Sequence, residues 1–393
     1  MKIALYGLPC AGKDYLLSNM PFLKHIKGSE WLNQKSEGKF RSLPADKQTE
    51  LRSEFVEYVS QFGDTDIAVD GHYSFPDGDS FNSVFTESDG NCYDVFVYLD
   101  TPIDIIAERI AKSEKNCIYS GLTQEQLQSW RDYETEGLFH EVLKRGKEFI
   151  LLDNDWNCIL EFMEGVTSGS IATAPEVSRI FAERIMSRTN KQTIVLSDGD
   201  KTLTQTDLTK DVLDPGERII KNIFDGDKYT TYQFWKAHKV YAGFEDIENR
   251  YEYALSKAEY DIPILKDLSE IDGFKVVVTS GLEELWSLAV ERTGVMDMAV
   301  GSDVSGRCNM SQLGKAYLAR ILRQSGLRIV AVGDNMVDYY MLLEANSGYV
   351  VAHRKKNESL QKILRNGSVL KQPSGNQIKF EGVKVVSSVH DDS

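Results

Sequence analysis

Apolar runs of the length of a buried strand recur along this chain and alternate with longer segments that have helical spacing. The clearest runs start at residues 2, 66, 93, 148, 194, 274 and 328. After the third run, Pro102 lies in the first turn of a predicted helix from Ile103 to Lys112. Strand–helix alternation implies parallel sheets with ligands at the carboxyl ends of the strands, so we predict an α/β fold.

The chain is long enough for two domains, because 393 residues exceed the usual size of one. The best linker is residues 167–175, where small and polar residues replace the apolar runs and a proline follows. A helix is expected from Glu176 to Ser187. We predict a first domain at residues 1–168, a linker and connecting helix at 169–190, and a second domain at 191–393.

Two aspartates, Asp198 and Asp200, follow the run that starts at residue 194. Residues two apart in an extended segment point the same way, so both carboxylates can face one pocket. Close carboxylates repel, which raises one pKa unless a divalent cation lies beside them or one carboxyl works as an acid. Considered alone, the pair is equally well explained by an acidic turn after a strand.

Further polar residues follow the next apolar runs. Ser280 can donate a hydrogen bond to a phosphate oxygen, and Gly281 lets the backbone approach closely. Lys315 lies where a helix is predicted to start, and Asp334 and Asp338 follow the run at 328. Each feature is common by itself, so the information lies in their order and separation.

In this order, the motifs from Asp198 to Asp338 resemble the haloacid dehalogenase superfamily of phosphatases, especially its phosphoserine-phosphatase-like branch, over roughly residues 190–370. The resemblance implies a Rossmann-like haloacid dehalogenase fold. It also implies a helical cap at about residues 205–271, where the sequence has aromatic-rich helical segments. The implied activity is that of an Mg²⁺-dependent phosphomonoesterase that works through an aspartyl-phosphate.

The same resemblance assigns roles to the catalytic residues. Asp198 would be the nucleophile. Asp200 would protonate the leaving oxygen and then activate water, and Thr202 would orient Asp200. Ser280 and Lys315 would hold the phosphoryl oxygens, which carry the transition-state charge.

The metal set implied by the resemblance centres on Asp198 and Asp334, with Asp200 and Asp338 as its further members. Asp338 would support either Lys315 or the metal. Three positions depart from the family pattern: Lys201 and Asn335 stand where glycine is frequent, and Val337 stands where asparagine is usual. The catalytic residues survive these changes, but the identity of the substrate cannot be carried over.

The first apolar run leads into Gly7-Leu8-Pro9-Cys10-Ala11-Gly12-Lys13-Asp14 and then a helix start. This is the P-loop pattern in its strand–turn–helix context, in which Gly7, Gly12 and Lys13 would cradle the phosphates of ATP or another nucleoside triphosphate. A glycine turn before an amphipathic helix is the alternative. Asp14 replaces the hydroxyl that normally meets Mg²⁺, and a carboxylate can serve the metal directly or through water. The Gly-Lys-Asp variant resembles P-loop kinases that act on small phosphorylated substrates.

Asp70 ends the second run and is a candidate for holding Mg²⁺ through water or the acceptor hydroxyl. His72 is either a loop residue or a ligand. The third run and the helix after it resemble nucleoside-monophosphate-kinase-like proteins, which implies phosphate-clamping cations in the helix and lid. The residues at those places are Arg109, Lys112, Lys115 and Arg131. A solvated basic helix face explains each of them singly.

The net charge of −15 argues mildly against non-specific nucleic-acid binding. The most basic stretch, residues 353–371, is either a solvated helix face or a contact for a phosphate-rich partner. Five cysteines without a CxxC pair favour reduced thiols. Because there is also no signal region and no apolar run of membrane length, we expect a cytoplasmic protein without a membrane partner.

Together these patterns indicate a bifunctional enzyme, a P-loop kinase followed by an Mg²⁺-dependent phosphatase, acting on nucleotides or other small phosphorylated compounds. The order of the two domains also resembles polynucleotide kinase-phosphatases. A 5′-kinase and 3′-phosphatase for nucleic-acid end repair therefore stays open, with nucleic acid as its partner. A third interpretation is a phosphatase whose P-loop domain binds ATP only for regulation. The oligomeric state does not follow from the sequence.

Overall fold

A computed structural model describes residues 1–63, 65–78, 80–113, 117–213, 219–224, 228–352 and 383–387 of the chain. It divides into two compact units, Met1–Gly169 and Ser170–Ser393, and each unit has its own parallel sheet. The predicted α/β class with two successive parallel sheets is therefore confirmed. Lys115 and the basic stretch at 353–371 lie outside the described residues.

The first unit is built on a five-stranded parallel sheet. Its strands are β1 (Lys2–Tyr6), β2 (Lys24–Lys27), β3 (Ile67–Asp70), β6 (Val95–Leu99) and β7 (Glu148–Leu152), while β4 (Ser74–Asp77) and β5 (Ser80–Ser83) form a separate antiparallel hairpin. The sheet order is β2-β3-β1-β6-β7. The helices are α1 (Lys13–Ser18), α2 (Gly28–Lys35), α3 (Ala45–Ser60), α4 (Glu87–Cys92), α5 (Ile103–Ala111), α6 (Gln124–Arg145) and α7 (Trp156–Ser168).

The segment at 28–60 forms α2 and α3 with a 3₁₀ turn at Phe40–Ser42 between them. Pro44 immediately precedes α3, and a proline disfavours helical geometry in the residue before it, so the two helices cannot fuse. In this segment the apolar side chains of Phe55, Val56 and Val59 are buried, whereas Trp31 and Leu51 are half-buried.

The second unit is built on a six-stranded parallel sheet. Its strands are β8 (Thr193–Ser197), β9 (Phe274–Leu282), β10 (Met298–Ser302), β11 (Arg328–Gly333), β12 (Ser347–Ala352) and β13 (Val383–Ser387), in the order β10-β9-β8-β11-β12-β13. Its helices are α8 (Ala174–Met186), α9 (Leu208–Asp211), α10 (Thr231–Ala242), α11 (Ile247–Ser256), α12 (Ile262–Ser269), α13 (Glu283–Thr293), α14 (Gln312–Gln324) and α15 (Tyr339–Glu344).

Helices α9 to α12 lie between β8 and β9 in the sequence, so the described part of the predicted cap region is helical. Their buried side chains, among them Tyr241, Tyr251 and Leu255, belong to the same core as Val195 and Val277 of the sheet. This region is therefore anchored on the strands that carry the predicted catalytic residues. Within the described residues, no helix has both the length and the apolarity needed to cross a membrane.

Candidate active sites

The central strands of the second sheet bring four of the predicted residues together. Strand β8 pairs in parallel with both β9 and β11, so the carboxyl ends of the three strands lie at one edge. Asp198 follows β8, Ser280 lies near the end of β9, and Asp334 follows β11. Lys315 reaches Asp198 at the same edge from the first turns of α14.

Lys315 makes a buried bridge between two carboxylates. Its Nζ donates to Asp198 Oδ1 at 2.6 Å and to Asp338 Oδ1 at 2.7 Å, and the residue is only 1% exposed. Burial by itself lowers the pKa of Lys315, but Asp198 and Asp338 more than offset this and raise it above its ordinary value. The ammonium is therefore a fixed positive charge beside Asp198.

The loop from Asp334 to Asp338 is held by its own hydrogen bonds. Asp338 Oδ2 accepts from the backbone N–H of Asp334 at 3.1 Å and of Asn335 at 3.2 Å. Asn335, which replaces a frequent glycine, donates from Nδ2 to Asp334 Oδ1 at 2.7 Å and accepts from the Val337 N–H at 2.7 Å. This departure from the family pattern thus orients the Asp334 carboxylate.

Carboxylate oxygens of Asp198, Asp334 and Asp338 lie within 4.8 Å of one another, and all three residues are buried. Burial and the neighbouring Asp338 raise the pKa of Asp198 well above its ordinary value. The same two causes raise the pKa of Asp334 to about 7. Crowded, buried carboxylate oxygens are the ligands that Mg²⁺ prefers, and a divalent cation would relieve their repulsion, so these residues fit the metal.

Thr202 differs from the sequence expectation, which had it orient Asp200. Its Oγ1 donates to Asp198 Oδ2 at 3.3 Å. The physical reason is the tight turn after β8, in which the Thr202 N–H bonds to the Gly199 carbonyl at 3.1 Å and turns the side chain back towards Asp198.

Asp200 faces α9 and α13 and lies outside the carboxylate cluster that the described residues form. It accepts from the Thr209 N–H at 3.2 Å, from Thr209 Oγ1 at 2.7 Å and from Trp286 Nε1 at 3.4 Å. The structure therefore does not place its carboxylate with the predicted metal ligands. Burial and the nearby Asp207 raise the pKa of Asp200 to about 6.

The Ser280 hydroxyl is buried and has no hydrogen-bond partner among the described residues, although buried hydroxyls usually have one. The Ser280 carbonyl accepts from Ser302 Oγ at 3.1 Å, and Ser302 Oγ accepts in turn from the Met310 N–H at 2.8 Å. The backbone is thus fixed while the hydroxyl stays available to a ligand.

In the first unit, the predicted P-loop joins β1 to α1 as the motif requires. Gly12 precedes α1 in a left-handed conformation, with φ of 107°. Lys13 Nζ donates to the Gly7 carbonyl and, at 3.1 Å, to the Leu8 carbonyl. Burial lowers the pKa of Lys13 to about 8, even though Glu134 lies near enough to oppose the shift. Asp14 is exposed in the first turn of α1.

The two predicted clamping arginines have different surroundings. Arg109 donates from NH1 to the carbonyls of Cys10 at 3.0 Å and Ala11 at 3.2 Å, so its guanidinium lies on the P-loop. Arg131 pairs with both oxygens of Asp100. The structure thus brings Arg109, but not Arg131, into direct contact with the P-loop.

Two titratable residues that sequence reasoning missed lie in the same unit. His25 Nε2 is 3.1 Å from Oδ1 of Asp70, the residue that ends β3. Glu134 is fully buried and accepts from the Ser74 N–H at 2.9 Å and from the Tyr98 hydroxyl at 3.1 Å. Burial raises the pKa of Glu134 to about 7. Both residues pair across elements that are distant in the sequence, which a single sequence does not show.

No known family model matches this sequence, and no curated protein matches it. Similar solved structures include a substrate-bound phosphoserine phosphatase, 18% identical, which covers 45% of this chain and 99% of that chain with a TM-score of 0.34. A HAD family hydrolase from Salmonella enterica serovar Typhi is 15% identical and covers 47% of this chain and 74% of that one, with a TM-score of 0.32. An unliganded sugar kinase from Janibacter sp. HTCC2649 is 12% identical, and the match covers 41% of this chain and 91% of the kinase chain, with a TM-score of 0.28. These identities and TM-scores are too low to assign a function, which leaves the geometry of the sites as the basis for one.

Proposed function

We propose that the second unit is an Mg²⁺-dependent phosphomonoesterase of the haloacid dehalogenase type, which acts through an aspartyl-phosphate on nucleotides or other small phosphorylated compounds. The observation that carries this proposal is the buried bridge from Lys315 to Asp198 and Asp338. It supplies a fixed positive charge beside a buried carboxylate, where the charge of a phosphoryl group would be stabilised.

In the first step, a carboxylate oxygen of Asp198 bonds to phosphorus, the ester P–O bond breaks, and the leaving oxygen takes a proton from Asp200. In the second step, water bonds to phosphorus while Asp200 takes its proton, and the bond between phosphorus and Asp198 breaks. Phosphate leaves, and both side chains return to their first state. A pKa of about 6 suits Asp200 to both transfers near neutral pH.

Ser280 and Lys315 would hold the phosphoryl oxygens, because one has a free buried hydroxyl and the other a fixed ammonium. Asp198 and Asp334 would hold Mg²⁺, with Asp338 shared between the metal cluster and Lys315. When bound, the cation would add positive charge at the phosphoryl oxygens.

Burial of the reacting groups supports a small substrate. Asp198 is 5% exposed and Asp334 is 3% exposed, so a substrate has to bring its phosphoryl group to two buried carboxylates. Such enclosure excludes water from the site and favours compact phosphomonoesters over the ends of a long polynucleotide.

The test is phosphate release, with Mg²⁺, from phosphoamino acids, sugar phosphates, nucleoside 5′- and 3′-monophosphates, and oligonucleotides phosphorylated at either end. We expect release from a small compound, its loss in Asp198→Asn and on chelation of the metal, and its retention in Asp272→Asn. Asp272 is a matched control because it is an exposed aspartate paired with Lys191. Preference for oligonucleotide 3′-phosphates would favour end repair, and no release above the Asp198→Asn blank would contradict the proposal.

For the first unit, we propose an ATP-dependent kinase. The observation that favours it is the glycine-containing turn between β1 and α1, into which Lys13 is directed and whose carbonyls accept from Arg109. A ring atom of Trp156 lies 3.4 Å from where a Cβ on Gly12 would be, and Tyr15 packs edge-on against that ring at 5.0 Å. This aromatic and cationic rim beside the loop suits a nucleobase.

Multiple-turnover phosphoryl transfer from ATP to the panel's dephosphorylated counterparts would test the kinase. We expect transfer that Lys13→Ala abolishes and that Lys47→Ala, a change to an exposed lysine paired with Glu50, leaves intact. ATP binding without transfer would favour the regulatory interpretation. Transfer to 5′-hydroxyl oligonucleotides would favour end repair.

A further inference from the structure

Asp200 is surrounded by donors from two elements that the sequence does not connect with it. Thr209 of α9 donates twice, from its N–H at 3.2 Å and from Oγ1 at 2.7 Å. Trp286 of α13 donates from Nε1 at 3.4 Å. Oδ2 therefore receives two side-chain donors, and Oδ1 receives a backbone donor. This is enough to fix the plane of the carboxylate.

Two glycines make this arrangement sterically feasible. A Cβ on Gly199 would lie 2.4 Å from the ring of Trp286, and a Cβ on Gly281 would lie 2.0 Å from Thr209 Oγ1. Real Cβ atoms do not approach other atoms so closely, and the indole of Trp286 is fully buried. Both glycines adjoin predicted catalytic residues, so the chain leaves room for these donors at two separate points.

Thr209 is itself held in place. The Tyr241 hydroxyl of α10 donates to the Thr209 carbonyl at 3.0 Å. Asp207 caps the start of α9 by accepting from the Lys210 N–H at 3.1 Å, and it pairs with Lys201. The two hydrogen bonds from Thr209 therefore link Asp200 to α9, and the Tyr241 hydroxyl extends this link to α10.

We propose that Thr209 and Trp286 are positioning residues for Asp200, in the role that sequence resemblance assigns to Thr202. This inference rests on the proposed phosphatase function. Asp200 has to aim one oxygen at the ester oxygen that leaves, and a carboxylate free to rotate would do so less often. Loss of a clamping donor should therefore slow reactions whose leaving oxygen needs a proton and spare those whose leaving oxygen does not.

The experiment compares Thr209→Val, which removes the hydroxyl, with Thr209→Ser, which keeps it. Thr206→Val is the matched control, because Thr206 Oγ1 is buried in the same loop and has no hydrogen-bond partner in the described part of the chain. Trp286→Phe tests the second donor while it keeps a ring. The probes are glycerol 2-phosphate, an alkyl ester, and 4-nitrophenyl phosphate, whose leaving group departs without a proton.

We expect Thr209→Val to lower kcat/KM about 10- to 100-fold on the alkyl ester and to leave kcat/KM of the aryl ester nearly unchanged, because kcat/KM reports the first step and not the later one in which Asp200 takes a proton from water. Thr209→Ser and Thr206→Val should behave like the unchanged protein. Trp286→Phe should show the same difference between the two esters as Thr209→Val, with a smaller loss on the alkyl ester. Equal losses on both esters, or equal losses in the Ser and Val variants, would overturn the proposal. Denaturation midpoints of all variants identify any loss that comes from unfolding.

Failure of the underlying function has a separate signature. If the unchanged protein releases no phosphate above the Asp198→Asn blank from either ester or from any compound of the phosphatase panel, the phosphatase proposal falls, and the positioning role falls with it. If release depends on Asp198 but is indifferent to Thr209, only the positioning role is overturned.

Discussion

At Lys201 the backbone has a φ of 63°, the left-handed conformation that glycine adopts without penalty. The position is one where related motifs have glycine, and lysine there incurs roughly 1–2 kcal/mol of backbone strain. The ion pair between Lys201 and Asp207 partly offsets this strain. The structure thus gives a physical reason why glycine would suit this position and how the lysine is tolerated there.

We predict that Lys201→Gly is more stable than Lys201→Ala, by about 1 kcal/mol in the free energy of unfolding. Both variants lose the ion pair, so the difference between their free energies of unfolding reports the backbone conformation alone. Urea denaturation measures this difference. The same two substitutions at Lys266, inside α12, should give the opposite order, because glycine is unfavourable within a helix. The same order at both positions would contradict the strain at Lys201.

Glu134 should make the stability of the first unit depend on pH. Its pKa rises from 4.5 in the unfolded chain to about 7 in the folded protein, because it is fully buried. The folded state then holds the proton more tightly, so its stabilising contribution is complete below pH 4.5 and is lost as the pH rises through about 7.

Glu134→Gln should remove this dependence while it keeps acceptors and donors for Ser74 and Tyr98. We expect the free energy of unfolding of the variant, relative to that of the unchanged protein, to rise by up to about 3 kcal/mol between pH 5 and pH 8. Urea midpoints across that range test it. A difference between the two proteins that does not change with pH would contradict the raised pKa.

Among the elements, seven strands with apolar runs were predictable, whereas the polar edge elements were not, and β10 and β12 were also missed although they are largely buried. Strand β1 is buried along most of its length, and its apolar run marks it in the sequence. Strand β2 reads Lys-His-Ile-Lys, and only Ile26 is buried, because the strand lies at the sheet edge. The hairpin of β4 and β5 is also mostly polar. Periodicity detects burial, so elements with little of it were missed.

Helix α14 carries Lys315 and begins at a cap that fixes its position. Ser311 Oγ accepts from the Gly314 N–H at 3.2 Å, and Ser311 is buried. Ser311→Ala should lower the free energy of unfolding by about 1 kcal/mol, whereas Ser311→Gly should lower it by only about a few tenths of a kcal/mol. Ser325→Ala, at the other end of the helix, is the control. Equal losses for alanine and glycine at residue 311 would argue against the cap.

Over the whole molecule, most predicted site residues lie at strand ends or helix starts, which local patterns mark, whereas Arg109 and Arg131 lie within α5 and α6. Their partners come from elsewhere: Trp286 and Asp200 lie on different elements, as do His25 and Asp70. Such pairs depend on strand order and helix packing, which a single sequence does not specify. The sequence therefore predicts which groups supply the chemistry better than it predicts what orients them.

Helix α8, at the start of the second unit, packs against the helix that carries Lys315. Sequence analysis assigned residues 169–190 to a linker and connecting helix, but α8 is packed into the second unit. Ser178 Oγ donates to the Gly314 carbonyl of α14 at 2.8 Å, and Val177 and Ile185 are fully buried. Helix α8 therefore covers the helix that carries Lys315.

We expect a fragment of residues 170–393 to unfold cooperatively in urea and to release phosphate as fast per molecule as the full chain. A fragment of residues 188–393, which starts after α8, should lose both properties, because the apolar face of α14 would be exposed to water. Adding the separate peptide 170–187 should restore part of the activity. If both fragments fold and act alike, α8 is only a connector; if neither folds, the second unit needs more of the chain than residues 170–393.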